Sequence, residues 1–379
     1  MSLYSRRGVS AQKEEVHYAV KDLYQGLYKK AFCKVYPDYL TDNDDYVNIM
    51  HADGAGTKSI LAYLYWKETG DISVWRGIAQ DAIVMNLDDL ICVGVYDKIL
   101  FSSTIDRNKN LIPADVLKEI IDGSEEFFEL MRSCGVNIYY MGGETADVGD
   151  VVRTIAVNGT MTGRWPKSGI VTNEKIRPGD VIVGLASYGK AIYEKEYNSG
   201  IASNGLTSAR HDILENYYAQ HFPESYDPSL SDDVVYIGKH RINDIKEILS
   251  PTRTFAPVMK QILKKHFDDV HGLIHCSGGG QTKCLKYVPD FVRIVKKDLF
   301  EVPPIFNKIK EASGVGNHEM YQVFNMGCRM EIYTPENKAA EIMDIADTFE
   351  IEAKIIGKVE SSEEKELIIE CADEILYYQ

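Results

Sequence analysis

The chain has 379 residues, of which 45% are hydrophobic and 26% are charged. This composition is ordinary for a folded globular protein of about two domains. The 42 lysines and arginines are outnumbered by 57 aspartates and glutamates, so the formal net charge is −15. Such an excess of negative charge disfavours nucleic-acid binding, which depends on neutralising phosphates. It does not exclude a small phosphorylated substrate, which a few lysines or a metal ion can hold.

No run of apolar residues approaches the roughly 20 that a bilayer-spanning helix needs. The first residues of the chain lack the apolar core of a secretory signal. The seven cysteines are widely spaced and form no CxxC pair, which is typical of free thiols in a reducing compartment. We therefore expect a cytoplasmic protein with neither a membrane partner nor a nucleic-acid partner.

In the first half of the chain, helices and strands are predicted from the apolar periodicity. Helices are predicted at 14–36, directly after 58, at 79–93 and at 114–134. Strands are predicted at 46–50, 98–103, 136–141 and 151–164. Interspersed helices and strands favour an α+β (mixed α/β) class.

A turn-rich segment between Trp165 and Asp180 separates this half from the next. We place a domain boundary there, which divides the chain into residues 1–168 and 169–379. The second half is again mixed. Strands are predicted at 181–186 and 271–276, helices near 207–217, up to 266 and at 336–348, and two strands after the last helix.

The loop Asp53–Lys58 lies between a predicted strand and a predicted helix. Its glycines, Gly54 and Gly56, let backbone amides approach a polyanion, and a helix N-terminus favours negative charge. Lys58 can meet a phosphate, and Asp53 can hold Mg²⁺. A tight turn capped by the aspartate is the alternative interpretation.

Acidic residues recur on the next predicted helix, where Asp81, Asp88 and Asp89 are spaced at i, i+7 and i+8. Clustered carboxylates are unfavourable unless they are solvated or bound to a cation. A cation site and a solvated helix face are therefore both open. Glu144, in a Gly-Gly-Glu-Thr loop after a strand, suits a metal or phosphate site or a simple turn.

Three further loops carry small or hydrogen-bonding residues: Ser203–Gly205, Ser277–Gly280 and Asn317–Tyr321. Each is a weak signal by itself. His318 and Glu319 could form a proton-transfer pair, although a single exposed histidine is more often structural.

In order along the chain, these motifs resemble those of the aminoimidazole ribonucleotide synthetases, the phosphoribosylformylglycinamidine cyclo-ligases of purine biosynthesis. The resemblance spans about residues 50–330, and a series of motifs is far more specific than any one of them. The matching segments are DGAGTK (53–58), GIAQDAIVMNLDDL (77–90), GGETAD (142–147), RPGD (177–180), SNG (203–205), PTR (251–253), SGGG (277–280) and HEMYQVFNMG (318–327).

The resemblance implies a two-domain fold in which the N-terminal sheet pairs across a homodimer and the C-terminal sheet has flanking helices. It also implies the ATP-dependent closure of formylglycinamidine ribonucleotide to aminoimidazole ribonucleotide, with release of ADP and phosphate. In this reaction the amide oxygen is phosphorylated and an amidine nitrogen then closes the ring. ATP and Mg²⁺ are the implied cofactors.

Roles for individual residues follow from the matching motifs. The implied nucleotide-binding residues are Asp53, Gly54, Gly56, Thr57, Lys58, Asp81, Asp89 and Glu144. The implied metal ligands among them are Asp53, Asp81, Asp89 and Glu144. The implied substrate contacts are Asn204, Thr252, Arg253, Gly278, Gly279 and Gly280. The implied catalytic groups are Lys58, Asn204, His318 and Glu319.

The chain departs from the family pattern at several positions. Residues Leu3–Ser10 stand where relatives have a segment close to SYKDAGVD, with Ser5 for the lysine and Arg6 for the first aspartate. Ala202 replaces the histidine of HSNG, and Gln281 replaces the phenylalanine of GGGF. Two alternatives keep the fold: a phosphoryl-transfer enzyme of the selenophosphate synthetase or thiamine-monophosphate kinase type, or a nucleotide-binding paralogue without catalysis.

Overall fold

The computed structural model describes residues 3–9, 18–371 and 374–379. It has two halves in which helices pack on a mixed sheet, one of five strands and one of seven, and this confirms the predicted fold class. A third, two-stranded sheet is small. Within the described residues, no helix is both long and apolar enough to cross a bilayer.

The N-terminal half contains five strands and three long helices, after a short N-terminal helix. The strands are β1 (Val35–Pro37), β2 (Tyr46–Gly54), β3 (Ile99–Arg107), β4 (Ile138–Asp147) and β5 (Ile155–Pro166). The helices are α1 (Leu3–Arg6), α2 (Lys58–Thr69), α3 (Val74–Ile91) and α4 (Ala114–Ser133). The strand order is β1-β2-β5-β3-β4, with β3 and β4 parallel and the other neighbours antiparallel.

Alternation along the strands gives this sheet one buried face and one exposed face. Val47 and Ile49 of β2 are buried, whereas Met50, the next residue of the same strand, points to the other face and is exposed. Helix α3 packs against β2 and β5 on the buried face. Fourteen of its 18 residues are buried, which is typical of a helix covered on both sides. Its second cover is the C-terminal half.

The C-terminal half is built on a sheet of strand order β14-β13-β10-β12-β6-β11-β9. Its strands are β6 (Asp180–Ala186), β9 (Gly272–His275), β10 (Val292–Lys296), β11 (Cys328–Pro335), β12 (Ala353–Ser361), β13 (Glu366–Cys371) and β14 (Glu374–Tyr378), with β7 (Tyr188–Gly189) and β8 (Asn198–Ser199) paired separately. Its helices are α5 (Leu206–Ile213), α6 (Tyr217–His221), α7 (Ala256–His266), α8 (Pro304–Ser313), α9 (Asn317–Val323) and α10 (Glu336–Asp347). The boundary placed between residues 168 and 169 falls between the two large sheets and stays a prediction.

The predicted helix over 14–36 is wrong for its last part. Residues 14–17 of that range lie outside the described residues, residues 18–20 are helical, and residues 21–34 form turns, bends and irregular chain. Gly26 adopts a left-handed φ of 89°, and the Leu27 N–H donates to the Val35 carbonyl at 2.8 Å. The chain folds back on β1 here, so the apolar spacing reflects packing of a turn. A third strand after α10, β14, was not predicted.

Candidate functional site

The Asp53–Lys58 loop joins the end of β2 to the start of α2. Asp53 and Gly56 are exposed, and Asp53 Oδ1 accepts a 2.7 Å hydrogen bond from the Gly54 N–H. Gly56 has φ 56°, and nothing lies within 4 Å of where its Cβ would be. Thr57 makes no side-chain capping bond at the start of α2. An exposed carboxylate beside open backbone fits a phosphate with its Mg²⁺.

Lys58 does not face this open loop. Its side chain is fully buried and pairs with buried Asp81 at 2.9 Å. The ammonium also donates to the Ser250 carbonyl of the C-terminal half. In this conformation Lys58 connects the two halves, and its role toward phosphate stays a prediction.

The acidic face of α3 points at the segment Ser250–Phe255. Asp81 accepts hydrogen bonds from the Thr252 N–H at 2.8 Å and from the Thr252 hydroxyl at 2.5 Å. Asp88 accepts a 2.6 Å bond from the Thr254 hydroxyl and pairs with buried Arg329 at 3.3 Å. The solvated helix face left open by the sequence is therefore wrong, because these carboxylates are buried between the halves.

Arg253 is held inside the C-terminal half. It pairs with Glu194 and donates to the carbonyls of Ala186 at 3.0 Å and Tyr188 at 2.6 Å. Its side chain is fully buried. Thr252 and Arg253 thus shape the boundary between the halves, and the substrate contacts predicted for them are untested.

Asp89 accepts bonds from two histidines. His51 Nε2 of β2 lies 3.1 Å from one carboxylate oxygen, and His275 Nδ1, at the end of β9, lies 2.6 Å from the other. His275 directly precedes Cys276 and the Ser277–Gly280 loop. The Asp89 carboxylate therefore connects β2, which leads into the Asp53–Lys58 loop, to the strand that leads into the Ser277–Gly280 loop of the other half.

The neighbours of His51 fix its protonation. Asn86 Nδ2 lies 3.1, 2.9 and 3.2 Å from the carbonyl oxygens of Asp53, Ala82 and Gly159, so Asn86 Oδ1 must be the atom 3.0 Å from His51 Nδ1. Both ring nitrogens of His51 then face acceptors, and both must carry hydrogen. Burial alone would lower the pKa of His51, but the hydrogen bond and charge of Asp89 raise it above its ordinary value.

We expect His51→Gln to lower the thermal unfolding midpoint more at pH 6 than at pH 9. The raised folded-state pKa means that the charged pair stabilises the fold fully below about pH 6.5 and loses this contribution as pH rises through the folded-state pKa. Calorimetry at both pH values measures the difference. His240→Gln, at an exposed histidine, is the control. An equal loss at both pH values would contradict the assignment.

Glu144 lies on another part of the N-terminal sheet. It pairs with Thr104 of β3, which pairs with Asn158 of β5, which pairs with Gly54. Three strand spacings, roughly 14 Å, therefore separate Glu144 from β2. Within the residues that the structure describes, no three His, Cys, Asp or Glu side chains are grouped closely enough to hold a metal ion. The predicted metal set is not assembled within one chain, and its role stays a prediction.

The Ser203–Gly205 and Ser277–Gly280 loops meet in the C-terminal half. Asn204 Nδ2 lies 3.3 Å from the place where a Cβ on Gly278 would be. Ser203 Oγ and Asn204 Oδ1 are buried, and neither has a hydrogen-bond partner among the described residues. Buried polar atoms are nearly always bonded. These two oxygens lie beside the glycines of the Ser277–Gly280 loop, and they indicate a binding site for a polar ligand.

The nucleotide loop reaches the same region. The Thr57 hydroxyl is hydrogen bonded to the Thr207 hydroxyl in the first turn of α5, at 2.6 Å. Gly205 precedes α5 with φ 79°. On the other side, a Cβ on Gly280 would lie 2.5 Å from the Phe324 carbonyl. The first-half loop, the two second-half loops and the segment after α9 therefore converge.

His318 and Glu319 have different surroundings. The His318 ring stacks on Tyr378 of β14 with centroids 4.3 Å apart, and the Tyr378 hydroxyl donates to the His318 carbonyl at 2.8 Å. Glu319 lines a small pocket with Tyr4 and Asp212. The structure does not bring these two side chains together as a proton-transfer pair, and their catalytic roles are untested.

The described N-terminal residues pack on the C-terminal half. Arg7 is buried, pairs with Asp212 at 2.7 Å and donates to the Ser208 hydroxyl at 2.8 Å. Arg6 pairs with exposed Asp233 at 2.5 Å. Arg6, which departs from the family pattern, and Arg7 anchor this segment to α5 and to the turn around Asp233.

A separate cleft of about 760 Å³ lies between α2, α3 and α4 and the segments 193–199 and 246–251. No residue predicted from the sequence as part of the site lines it. The sequence interpretation missed His51, His275 and Arg329. His51 precedes Asp53 by two residues on the same strand, and this spacing was the available signal for it.

Comparison with known proteins covers both halves. The family described as AIR synthase related protein, N-terminal domain, matches residues 33–165, and its C-terminal domain matches residues 177–370. The chain is 31% identical over 370 residues to the phosphoribosylformylglycinamidine cyclo-ligase of Methanococcoides burtonii, covering 95% of each chain. It is 32% identical over 328 residues to the protein of that name from Methanocaldococcus jannaschii, covering 84% of this chain and 79% of the relative.

Solved structures share the fold at low identity. AaThiL complexed with AMPPCP and TMP is 12% identical with a TM-score of 0.58, and the match covers 97% of both chains. T. maritima PurL complexed with FGAR is 14% identical with a TM-score of 0.56, and the match covers 97% of this chain and 49% of that one. At such identities the likeness shows the fold alone.

Proposed function

The chain belongs to the family of AIR synthase related proteins, and from this premise we propose that it is an ATP-dependent phosphoribosylformylglycinamidine cyclo-ligase of purine biosynthesis. The observation that carries the proposal is the 31% identity to a relative of that name over 95% of both chains. The kinase-type alternative is not favoured, because the solved thiamine monophosphate kinase of Aquifex aeolicus resembles this chain in fold at 12% identity.

The reaction needs an activated amide. An amide oxygen is a poor leaving group, and phosphorylation by ATP converts it into a good one, after which the amidine nitrogen closes the imidazole ring. Phosphoryl transfer depends on positioning and on neutralising the charge of the phosphates. Mg²⁺ supplies that neutralisation when it is bound with the nucleotide.

We place the nucleotide phosphates at the Asp53–Lys58 loop. Its exposed carboxylate, the open backbone at Gly56 and the start of α2 suit Mg²⁺ and phosphate. His51 lies two residues before Asp53 on the same strand, where it adds a positive charge. The hydroxyl contact between Thr57 and Thr207 holds this loop beside the C-terminal half.

We place the ribonucleotide between the Ser203–Gly205 and Ser277–Gly280 loops. The buried oxygens of Ser203 and Asn204 need donors, which the amide or hydroxyl groups of a ribonucleotide would supply. Gly278 and Gly279 are partly exposed, and their backbone N–H groups suit the phosphate of the ribonucleotide. This arrangement puts the substrate loops next to the nucleotide loop.

We also propose a homodimer that forms through the exposed face of the N-terminal sheet. Met50, Leu100 and Tyr139 lie in one row, joined by the pairing of Thr162 with Met50 and Leu100. Their exposed fractions are 65%, 42% and 48%. A contiguous apolar patch of this kind on a sheet face marks an interface, and the family resemblance favours a second copy as its occupant.

Leu100→Asp is expected to convert the dimer into a monomer, because it places a charge at the centre of the apolar row. Light scattering during gel filtration measures the mass. Ile121→Asp, at an exposed position of α4, should leave the dimer intact. A wild-type monomer, or a Leu100→Asp variant of dimer mass, would refute this interface.

The function is tested by measuring ADP release with Mg²⁺–ATP, with and without formylglycinamidine ribonucleotide. We expect ADP release to depend on the ribonucleotide and the aminoimidazole product to accumulate in equal amount. Thiamine monophosphate and selenide serve as alternative acceptors. ATP binding without ribonucleotide-dependent turnover would refute the cyclo-ligase and favour the paralogue without catalysis.

A further inference from the structure

A buried ion pair lies in the core of the C-terminal sheet. Lys296 at the end of β10 pairs with Glu331 of β11, and both side chains are fully buried. The other Glu331 oxygen accepts a 2.9 Å bond from the Tyr333 hydroxyl, and the Cys276 thiol lies 3.2 Å from the oxygen that Lys296 contacts. The pair is thus fully hydrogen bonded.

Lys296 extends from this pair to the glycine loop. Its ammonium donates to the Gln281 main-chain carbonyl at 2.6 Å and to the Gln281 side-chain oxygen at 3.2 Å. Together with Glu331 these bonds use all three ammonium hydrogens. Gln281 directly follows Gly280, so the ion pair fixes the end of the Ser277–Gly280 loop.

Gln281 carries the connection onward. Its amide nitrogen donates to the carbonyls of Asn325 at 2.6 Å and Cys328 at 2.7 Å. Asn325 in turn donates to the Gly200 carbonyl at 3.0 Å and accepts a 2.9 Å bond from the Ser187 hydroxyl. Gly200 lies three residues before Ser203. One continuous set of buried bonds therefore joins to the sheet the end of the Ser277–Gly280 loop and the residue three positions before the Ser203–Gly205 loop.

Stability alone is a weak reason for this arrangement. A buried ion pair repays its desolvation poorly, and well-packed apolar residues in its place are often as stable or more so. What a fully bonded buried network supplies is a single conformation of the groups attached to it. Here those groups are the Ser203–Gly205 loop, which carries the two unpartnered oxygens, and the Ser277–Gly280 loop, which carries the three glycines.

We infer that Lys296, Glu331, Gln281 and Asn325 are positioning residues that hold the Ser203–Gly205 and Ser277–Gly280 loops in the geometry that receives the ribonucleotide. The identity of that ligand rests on the proposed function. None of the four was singled out as a site residue by the motif analysis. Gln281 stands where relatives have phenylalanine, so this connection belongs to chains with the glutamine.

The test is Lys296→Met combined with Glu331→Gln, which removes both charges together and leaves no buried charge unpaired. We expect KM for formylglycinamidine ribonucleotide to rise about tenfold while KM for ATP changes less than about twofold. Hydrogen exchange of peptides covering 200–205 and 277–281 should become faster in the same variant. Gln281→Met removes the side-chain bonds of Gln281 while keeping both charges of the ion pair, and it should show both effects.

The matched control is Asp180→Asn with His271→Gln, a second buried pair of the same sheet with a 2.9 Å contact. It should lower stability without changing KM for the ribonucleotide. Unchanged ribonucleotide KM in both network variants would overturn the inference. If the wild type does not convert the ribonucleotide, the proposed function fails, and exchange then decides: faster exchange in the two loops supports positioning, and unchanged exchange overturns it.

Discussion

Asp81→Ala is expected to lower the free energy of unfolding by about 3–5 kcal/mol, because it leaves the Lys58 ammonium buried without its counter-ion. The same change removes the acceptor of both Thr252 bonds. Urea denaturation followed by circular dichroism measures the loss. Burial itself lowers the pKa of Lys58, so part of the loss should be relieved at high pH, where the lysine can release its proton.

Two variants make this expectation specific. Asp290→Ala removes an exposed carboxylate that pairs with Lys30 and Lys365, and it should change stability by less than about 0.5 kcal/mol. Lys58→Met combined with Asp81→Leu should be more stable than Asp81→Ala, because no charge is left unpaired. A loss below about 1 kcal/mol in Asp81→Ala would show that water already reaches the pair.

Asn204→Ala is expected to reduce kcat/KM for formylglycinamidine ribonucleotide by about 10- to 100-fold, the equivalent of one strong hydrogen bond of about 1.5–3 kcal/mol. The buried Asn204 oxygen has no hydrogen-bond partner among the described residues. Replacing the side chain with alanine therefore breaks no hydrogen bond of that oxygen within the protein. Steady-state kinetics measure the change, and the unfolding midpoint should stay within about 2 °C of the wild type.

Asn307→Ala, an exposed asparagine of α8, is the matched control and should leave kcat/KM unaltered. An Asn204→Ala variant with wild-type kcat/KM would show that the unpartnered oxygen does not face the substrate. A variant that loses stability in parallel with activity would assign Asn204 to the fold.

The sequence predicted the loops of the site better than the direction of their side chains. Gly54, Gly56 and the glycines 278–280 mark close approach of the backbone, which depends on local geometry, and the structure brings their loops together. Lys58 and Asp81 were predicted to face the nucleotide, but each finds its partner in the other. That pairing depends on how α2 and α3 pack against each other, and a sequence motif carries no information about this packing.

Contacts between distant segments were the least predictable. Asp89 meets His275 across 186 positions, and Lys296 of β10 meets Glu331 of β11 although two strands lie between them in the sheet. Charged residues within two largely apolar strands, Val292–Lys296 and Cys328–Pro335, were the available signal for the second pair. The last part of the predicted helix, residues 21–34, failed for a related reason, because an apolar spacing cannot distinguish a helix from turns that pack on an edge strand.

The segment Ser250–Phe255 has a consequence for cooperativity. It gives hydrogen bonds to two carboxylates of α3, the helix that also forms the inner layer of the N-terminal sheet. Separating the halves would break these hydrogen bonds and expose to water the apolar residues of α3 that the C-terminal half covers. The two halves should therefore unfold in one transition rather than one after the other.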